Sequence, residues 1–346
     1  MIYIYCPSYT SIFLALYLRD KGKEITILTN NRSVQALCTH MEINHKYLGF
    51  SNPVLFCKNL LVEYKERENL DNLLEDMNPG ENDTLYFDGY CVDYKLYYLI
   101  RKWPNKGKIF NTELLNHKIV LYNYFKSSHP YGIRPYFRKI ISMLVIYIIY
   151  GLRLKLYLLN EKSVHFGFDE KFKERHKIIF EDFGDYKNMV KNVIKNNSMI
   201  IKKYDTLIIS AYPYKDIDYS IYNQIIHEIP KLSSSIAIKI HPTIHHSDNI
   251  DETARDLFPE FDLIPTFIPV ELILPNIRKN VIAESSTALI AASEIPHLNV
   301  ICIMDIVNWV KGKKRWARQY RSFLIKNSKN RITFVNNINQ LKDVTQ

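Results

Sequence analysis

The sequence predicts an α/β chain of two Rossmann-like domains facing across a cleft. Short β-branched or apolar runs alternate with segments of helical periodicity from Met1 onward, and the alternation resumes with new spacing after a polar, Asn-rich passage near Lys195–Lys203. The chain has 346 residues and 47% hydrophobic content, more than one ordinary core holds. We place the first domain at residues 1–200 and the second at 201–346.

The first domain opens as a βαβ unit. Met1–Tyr5 is a short apolar run, Ser11–Lys21 has helical spacing after the cap candidates Ser8 and Thr10, and Glu24–Leu28 is a second β-branched run. Further strands are predicted at Thr84–Phe87, Lys108–Phe110 and Lys118–Tyr122, with a helix at Tyr94–Lys102. Such alternation gives a doubly wound, mostly parallel sheet. The run Ile140–Tyr150 holds eleven residues, too few for the roughly 20 that span a bilayer, and is read as a buried or interfacial helix.

The second domain is predicted to carry strands at Leu207–Ser210, Ser235–Ile240, Asn280–Ala283, Asn299–Met304 and Arg331–Val335. Helices are expected at Ile221–Glu228, Ser286–Ser293 and Trp316–Leu324, with a last one at Asn337–Lys342.

Composition narrows the class of partner. The formal net charge is +10, which points to an anionic partner. Basic residues gather with aromatics around Arg134–Lys139 and Lys311–Arg321. No helix-turn-helix, RNA-recognition or zinc-finger signature accompanies them, so nucleic acid is not expected. Cys6, Cys38, Cys57, Cys91 and Cys302 are scattered singly, which indicates neither a disulfide framework nor a zinc site. Met1–Tyr5 already reads as strand, so no signal peptide is expected and the predicted location is the cytoplasm. Arg134, Arg138 and Lys139, upstream of the Ile140–Tyr150 run, make peripheral contact with the inner face of the cytoplasmic membrane a further expectation.

Chemistry concentrates between Ser235 and Leu289. The strand ending in Lys239-Ile240 runs into His241-Pro242, and proline ends a strand because it lacks the N–H and fixes φ. The imidazole would then project from the C-terminal edge of the sheet, where doubly wound folds bind ligands. About forty residues on, Glu284-Ser285-Ser286-Thr287 precedes an apolar helix, and its hydroxyls and backbone N–H groups suit a phosphate or simple capping. Glu271 is one carboxylate inside the apolar run Phe267–Leu274, placed to accept hydrogen bonds from ribose hydroxyls or to sit on a helix surface. Glu181 and Asp182 follow a strand-like segment and are candidates for a general base, while Asp88 and Glu113 remain in contention. His245, His246 and Asp248 read as loop polarity rather than metal ligands.

The order of an acidic-Gly element, then Lys239-Ile-His241-Pro242, then Ile268-Pro-Val-Glu271-Leu272, then Ser285-Ser286-Thr-Ala-Leu289, resembles the bacterial sialyltransferases of the lipooligosaccharide and polysialic-acid-capsule type. The resemblance is best over Leu207–Ala292. It implies a GT-B fold with an acceptor-side first domain and a nucleotide-sugar donor second domain, CMP-sialic acid as donor substrate, inversion at the anomeric carbon, and no cofactor or metal. By resemblance His241, within the His241-Pro242 motif, assists departure of the CMP phosphate. Ser285 and Ser286, beside Thr287, hold that phosphate, and Glu271 holds the ribose. Glu181 or Asp182 would deprotonate the acceptor hydroxyl of an anionic cell-surface glycan. Here Phe183 separates the two acids from Gly184, a departure from the family pattern that bears on the base.

Two other readings share some of these residues. A CDP-glycerol-type phosphotransferase of capsule or teichoic-acid synthesis also pairs a strand-end His-Pro with a Ser-Ser cradle, and Ala211-Tyr-Pro-Tyr214 resembles another of its loops. A non-catalytic glycan- or lipid-binding relative would keep the fold without the base.

Overall fold

Two parallel sheets of six strands organise the chain. In the computed structural model the described residues are 1–49, 60–88, 94–112, 148–149, 155–160, 163–167, 177–181, 183, 186–197, 202–210, 217–229, 235–240, 255–256, 258–310 and 314–345. The chain divides into Met1–Val193 and Ile194–Gln346.

The first unit begins β1 (Ile2–Tyr5), α1 (Tyr9–Asp20), β2 (Ile25–Thr29), α2 (Arg32–His40) and β3 (His45–Tyr47). It continues with α3 (Leu60–Met77), β4 (Thr84–Phe87), α4 (Tyr94–Lys102) and β5 (Ile109–Asn111). An antiparallel hairpin, β6 (Lys155–Asn160) and β7 (Ser163–Gly167), precedes the short β8 (Ile179–Phe180), and α5 (Tyr186–Asn197) follows, with the division between the units falling inside it. The sheet order is β3-β2-β1-β4-β5-β8. Because β1 is central and the chain winds outward first one way and then the other, this is the 3-2-1-4-5-6 order of a dinucleotide-binding sheet.

The elements follow from local chemistry. Ile25–Thr29 is buried at every position, as befits a parallel strand covered on both faces. The Asn31 side chain accepts hydrogen bonds from Ser33 N (2.9 Å) and Val34 N (3.4 Å), capping α2. Tyr5, Phe87, Leu99 and Trp103 fill the core on one side, with the Tyr3 and Trp103 rings edge-on at 5.3 Å.

The second unit runs β9 (Tyr204–Ser210), α6 (Tyr219–Glu228), β10 (Ile236–Ile240), β11 (Asp262–Ile264), β12 (Ile277–Ala283), α7 (Ala288–Ser293), β13 (Asn299–Cys302), α8 (Lys314–Asn327), β14 (Ile332–Phe334) and α9 (Ile338–Thr345). Its order, β11-β10-β9-β12-β13-β14, repeats the 3-2-1-4-5-6 pattern. Ile208, Ile238, Ile282 and Ile301 stand on adjacent strands in one core cluster. The two-domain α/β expectation is met by two Rossmann-like sheets.

Several details differ from the sequence reading. Helices α2 and α3, edge strands β3 and β11 and the β6–β7 hairpin were not anticipated. Helix α7 starts at Ala288, two residues later than expected, because Ser286 and Thr287 turn the chain first. The Asn-rich passage is partly helical, since α5 extends to Asn197. The predicted strand at Lys118–Tyr122, most of the Ile140–Tyr150 run and the basic cluster at Arg134–Lys139 lie outside the described residues.

Candidate functional site

The registers fix two rims. In the first unit Tyr5, Phe87, Asn111 and Phe180 are level across β1, β4, β5 and β8. The residues one step on, Cys6, Asp88, Thr112 and Glu181, therefore line the C-terminal rim. Backbone hydrogen bonds extend the ladders past the strand ends, from Thr112 N to Phe87 O (2.9 Å) and from Glu181 N to Asn111 O (3.1 Å). The crevice where winding direction reverses lies between β1 and β4, so Asp88 stands at the position where such sheets bind ligands.

Glu181 is two strands away and differently housed. Its Oε2 accepts a hydrogen bond of 2.7 Å from the Tyr86 hydroxyl. The Tyr86 ring stacks on Phe110 at 5.2 Å and meets the Phe183 edge at 5.7 Å. Burial, and then the Glu181 carboxylate, push the Tyr86 phenol upward, so it stays a donor. Glu181 is half-buried and reachable, whereas Asp88 is 2% exposed. Asp182 lies outside the described residues.

A second feature of the first unit is structural. Lys95, fully buried, is bonded to the Leu48 carbonyl and pairs with Glu66 Oε2 at 2.9 Å. Gly49 lies against both partners with φ +73°, a conformation and a close approach that only glycine satisfies here.

In the second unit Ile240 is level with Ser210, and Ala283 with Ile209. Glu284 thus stands level with Ser210 across the crevice between β9 and β12. The ends of β10 and β12 are two inter-strand spacings apart, about 10 Å. His241 and Pro242 follow Ile240 directly and lie outside the described residues.

Ser285 and Ser286 come next after Glu284. Ser285 is half-buried, Ser286 is buried with its Oγ accepting from Ala288 N at 3.2 Å, and Thr287 is exposed. Accepting from Ala288 N uses one lone pair of Ser286 Oγ and leaves its O–H to donate, so this bond does not bar Ser286 from a ligand. The six residues of α7 add only a short dipole, so backbone N–H groups and hydroxyls would have to do most of the holding. Glu284 is buried beside Cys302 and Tyr320, and both groups are pushed upward first by burial, with the Glu284 charge adding to it.

Glu271 lies on a short 3₁₀ turn, Val270–Leu272, rather than on the surface of an α-helix. Burial raises its carboxyl above the usual carboxylate range, while its own backbone N–H and the charge of Lys239 act the other way. Lys239, 1% exposed, donates to Ile240 O at 3.0 Å and Thr266 O at 2.8 Å. Sequence reasoning cited Lys239 only as part of a motif. A lone cation in an apolar strand was the signal of a specific partner.

Among the described residues no group of three or more His, Cys, Asp or Glu side chains is placed to hold a metal ion. No helix among them is long and apolar enough to cross a membrane.

No protein-family model and no curated protein sequence matches the chain. Among solved structures the chain is similar to a UDP-GlcNAc 2-epimerase from Neisseria meningitidis bound to UDP-GlcNAc, at 13% identity over 99% of this chain and 97% of that one, with a TM-score of 0.43. CalG4, the calicheamicin glycosyltransferase, matches at 10% identity over 99% and 88%, with a TM-score of 0.45. The spinosyn forosaminyltransferase SpnP matches at 11% over 100% and 90%, with a TM-score of 0.42. At these identities and scores no donor, reaction or residue role passes from them to this chain. The strand orders themselves carry the assignment: two Rossmann-like units in one chain, the make-up of a GT-B-like protein.

Proposed function

We propose that the chain is an inverting, metal-independent glycosyltransferase that moves sialic acid from CMP-sialic acid to a cell-surface glycan, lipooligosaccharide or capsular polysaccharide. The observation that carries the proposal is the rim of the second unit. Glu284, with Ser285 and Ser286 after it, follows the end of β12 level with Ser210, the charge of Lys239 near the end of β10 acts on Glu271, and β10 ends one residue before His241, which supports a donor site on this rim.

Cleavage of the sialyl–phosphate bond leaves negative charge on the departing CMP. His241 and the Ser285 and Ser286 groups would stabilise that charge, and Glu271 would anchor the ribose. A single phosphate needs no divalent ion for this. Glu181, with Asp182 as its neighbour, takes the acceptor proton, and Tyr86 orients the Glu181 carboxylate as a third group orients a base. Asp88 is the rival acid that the strand order places at the crevice. The basic surface suits an acceptor bearing repeated carboxylates and contact with anionic lipid on the cytoplasmic side of the membrane.

The test is incubation of purified protein with CMP-sialic acid, CDP-glycerol and other CMP- and CDP-activated donors, with and without acceptor glycan. Acceptor-dependent release of CMP from CMP-sialic acid is the expected result. Turnover of CDP-glycerol alone would assign the chain to phosphotransfer, and turnover of none would make it a binding protein.

A further inference from the structure

Lys239 is an expensive residue in its place. It is 1% exposed between Ile238 and Ile240, both at 0%, inside a strand buried at all five positions. Desolvating an ammonium costs several kcal/mol, and an apolar side chain of similar length in such a position is commonly neutral or stabilising. Packing alone therefore does not call for a charge here.

The acceptors around it point to another role. An ammonium has three N–H donors. One goes to Ile240 O, the last carbonyl of β10, and another to Thr266 O, in the segment leaving β11. The charge also acts on the Glu271 carboxylate, on the turn where that segment ends. One buried cation thus joins the end of a central strand to the backbone that carries Glu271. Its Nζ is shut away from solvent, so it would act through those groups and not on a ligand directly.

We propose that Lys239 is a positioning residue for nucleotide recognition: it fixes the Glu271 turn against the end of β10, so that the carboxylate meets the ribose hydroxyls and sets a preference for ribonucleotide over deoxyribonucleotide. This rests on the nucleotide-site reading given above. The cation is kept for the placement of an acid, and the cost of burying it is offset by selectivity.

Calorimetric titration of the full chain with CMP and with 2′-deoxy-CMP tests this on wild type, Lys239→Met, Glu271→Gln and the double variant, with thermal unfolding alongside. Wild type is expected to bind CMP about tenfold tighter than 2′-deoxy-CMP, the order of one lost charged hydrogen bond. Lys239→Met leaves the Ile240 and Thr266 carbonyls without this donor and is expected to fold with a lowered midpoint, to lose about tenfold on CMP and little on the deoxy form, and so to erase the preference. The double variant should bind CMP no worse than either single one. Lys239→Met that keeps the wild-type ratio, or weakens both nucleotides alike, overturns the proposal. Should Lys239→Met not fold, Lys239→Gln, which retains a donor, takes its place in the same titration; if neither folds, the lysine is a stability element and the proposal fails. Wild type that binds neither nucleotide, or both equally, breaks the reading of the site itself and this inference with it.

Discussion

The Tyr86 hydroxyl reaches over β5 to hold Glu181 Oε2 at 2.7 Å, joining β4 to the rim residue that follows β8. One carboxylate oxygen is thereby fixed while the group stays half-buried. Tyr86→Phe should lower acceptor-dependent transfer by roughly tenfold, through orientation, and stability by about 1 kcal/mol, the net worth of one hydrogen bond. Steady-state kinetics and urea unfolding of the same variant separate the two effects.

Two acids on one rim make a direct comparison. Glu181→Gln is expected to lower transfer by roughly 10²-fold or more, the scale of a lost general base, with CMP affinity unchanged. Asp88→Asn is the counter-arm. A harmless Glu181→Gln beside a crippling Asp88→Asn would move the base to the crevice between β1 and β4.

Ser285 and Ser286 should respond differently to removal of their hydroxyls. Ser286 Oγ accepts from Ala288 N and keeps its O–H for a ligand, so Ser286→Ala costs about 1 kcal/mol of stability as well as donor binding. Ser285→Ala should weaken CMP binding by about tenfold with the unfolding midpoint unmoved. Equal midpoints and equal affinities in both variants would remove the phosphate from this turn.

The raised carboxyl of Glu271 has a sign that can be checked. A carboxyl whose folded-state value lies above its unfolded one, about 4.3, holds its proton longer when folded. Ionisation therefore opposes folding as pH rises past the unfolded value, and the full penalty is present above the folded one. Glu271→Gln should raise the unfolding midpoint at pH 7 and leave it nearly unchanged at pH 4. A larger gain at pH 4 than at pH 7 would contradict the burial argument.

Gly49 offers a test away from the proposed chemistry. With φ at +73° and Glu66 and Lys95 against the position a Cβ would take, Gly49→Ala combines left-handed strain with a clash on a partly buried ion pair. A loss well beyond about 1 kcal/mol is expected by denaturant unfolding. Gly22, at the same φ but with no atom within 4 Å of a Cβ, is the control and should lose less.

Central strands were legible because burial on both faces writes itself as an apolar run. Ile25–Thr29, Ile236–Ile240 and Asn299–Cys302 are of this kind. Two edge strands carry no such mark: His45-Lys46-Tyr47 is polar and Asp262-Leu-Ile264 is three residues long, whereas the edge strand β14 was legible as an apolar, β-branched run at Arg331–Val335. The site was legible as motifs but not as geometry. That Asp88 and Glu181 share a rim depends on the ladder registers of three strands, β4, β5 and β8, which no local pattern encodes. The burial of Lys239 and its bond to Thr266, 27 residues away, are likewise long-range facts that only the folded sheet brings together.

Every strand pair in the two large sheets is parallel, so each joins segments separated by a crossover or by the sheet's reversal of direction. β9 pairs with β12 only after about seventy residues of intervening chain have been synthesised. A nascent chain must therefore keep unpaired apolar edges out of trouble for the time that ribosomal elongation takes, which exposes it to aggregation. Slower, cooler synthesis with chaperone support is the regime in which this protein should be recovered in good yield.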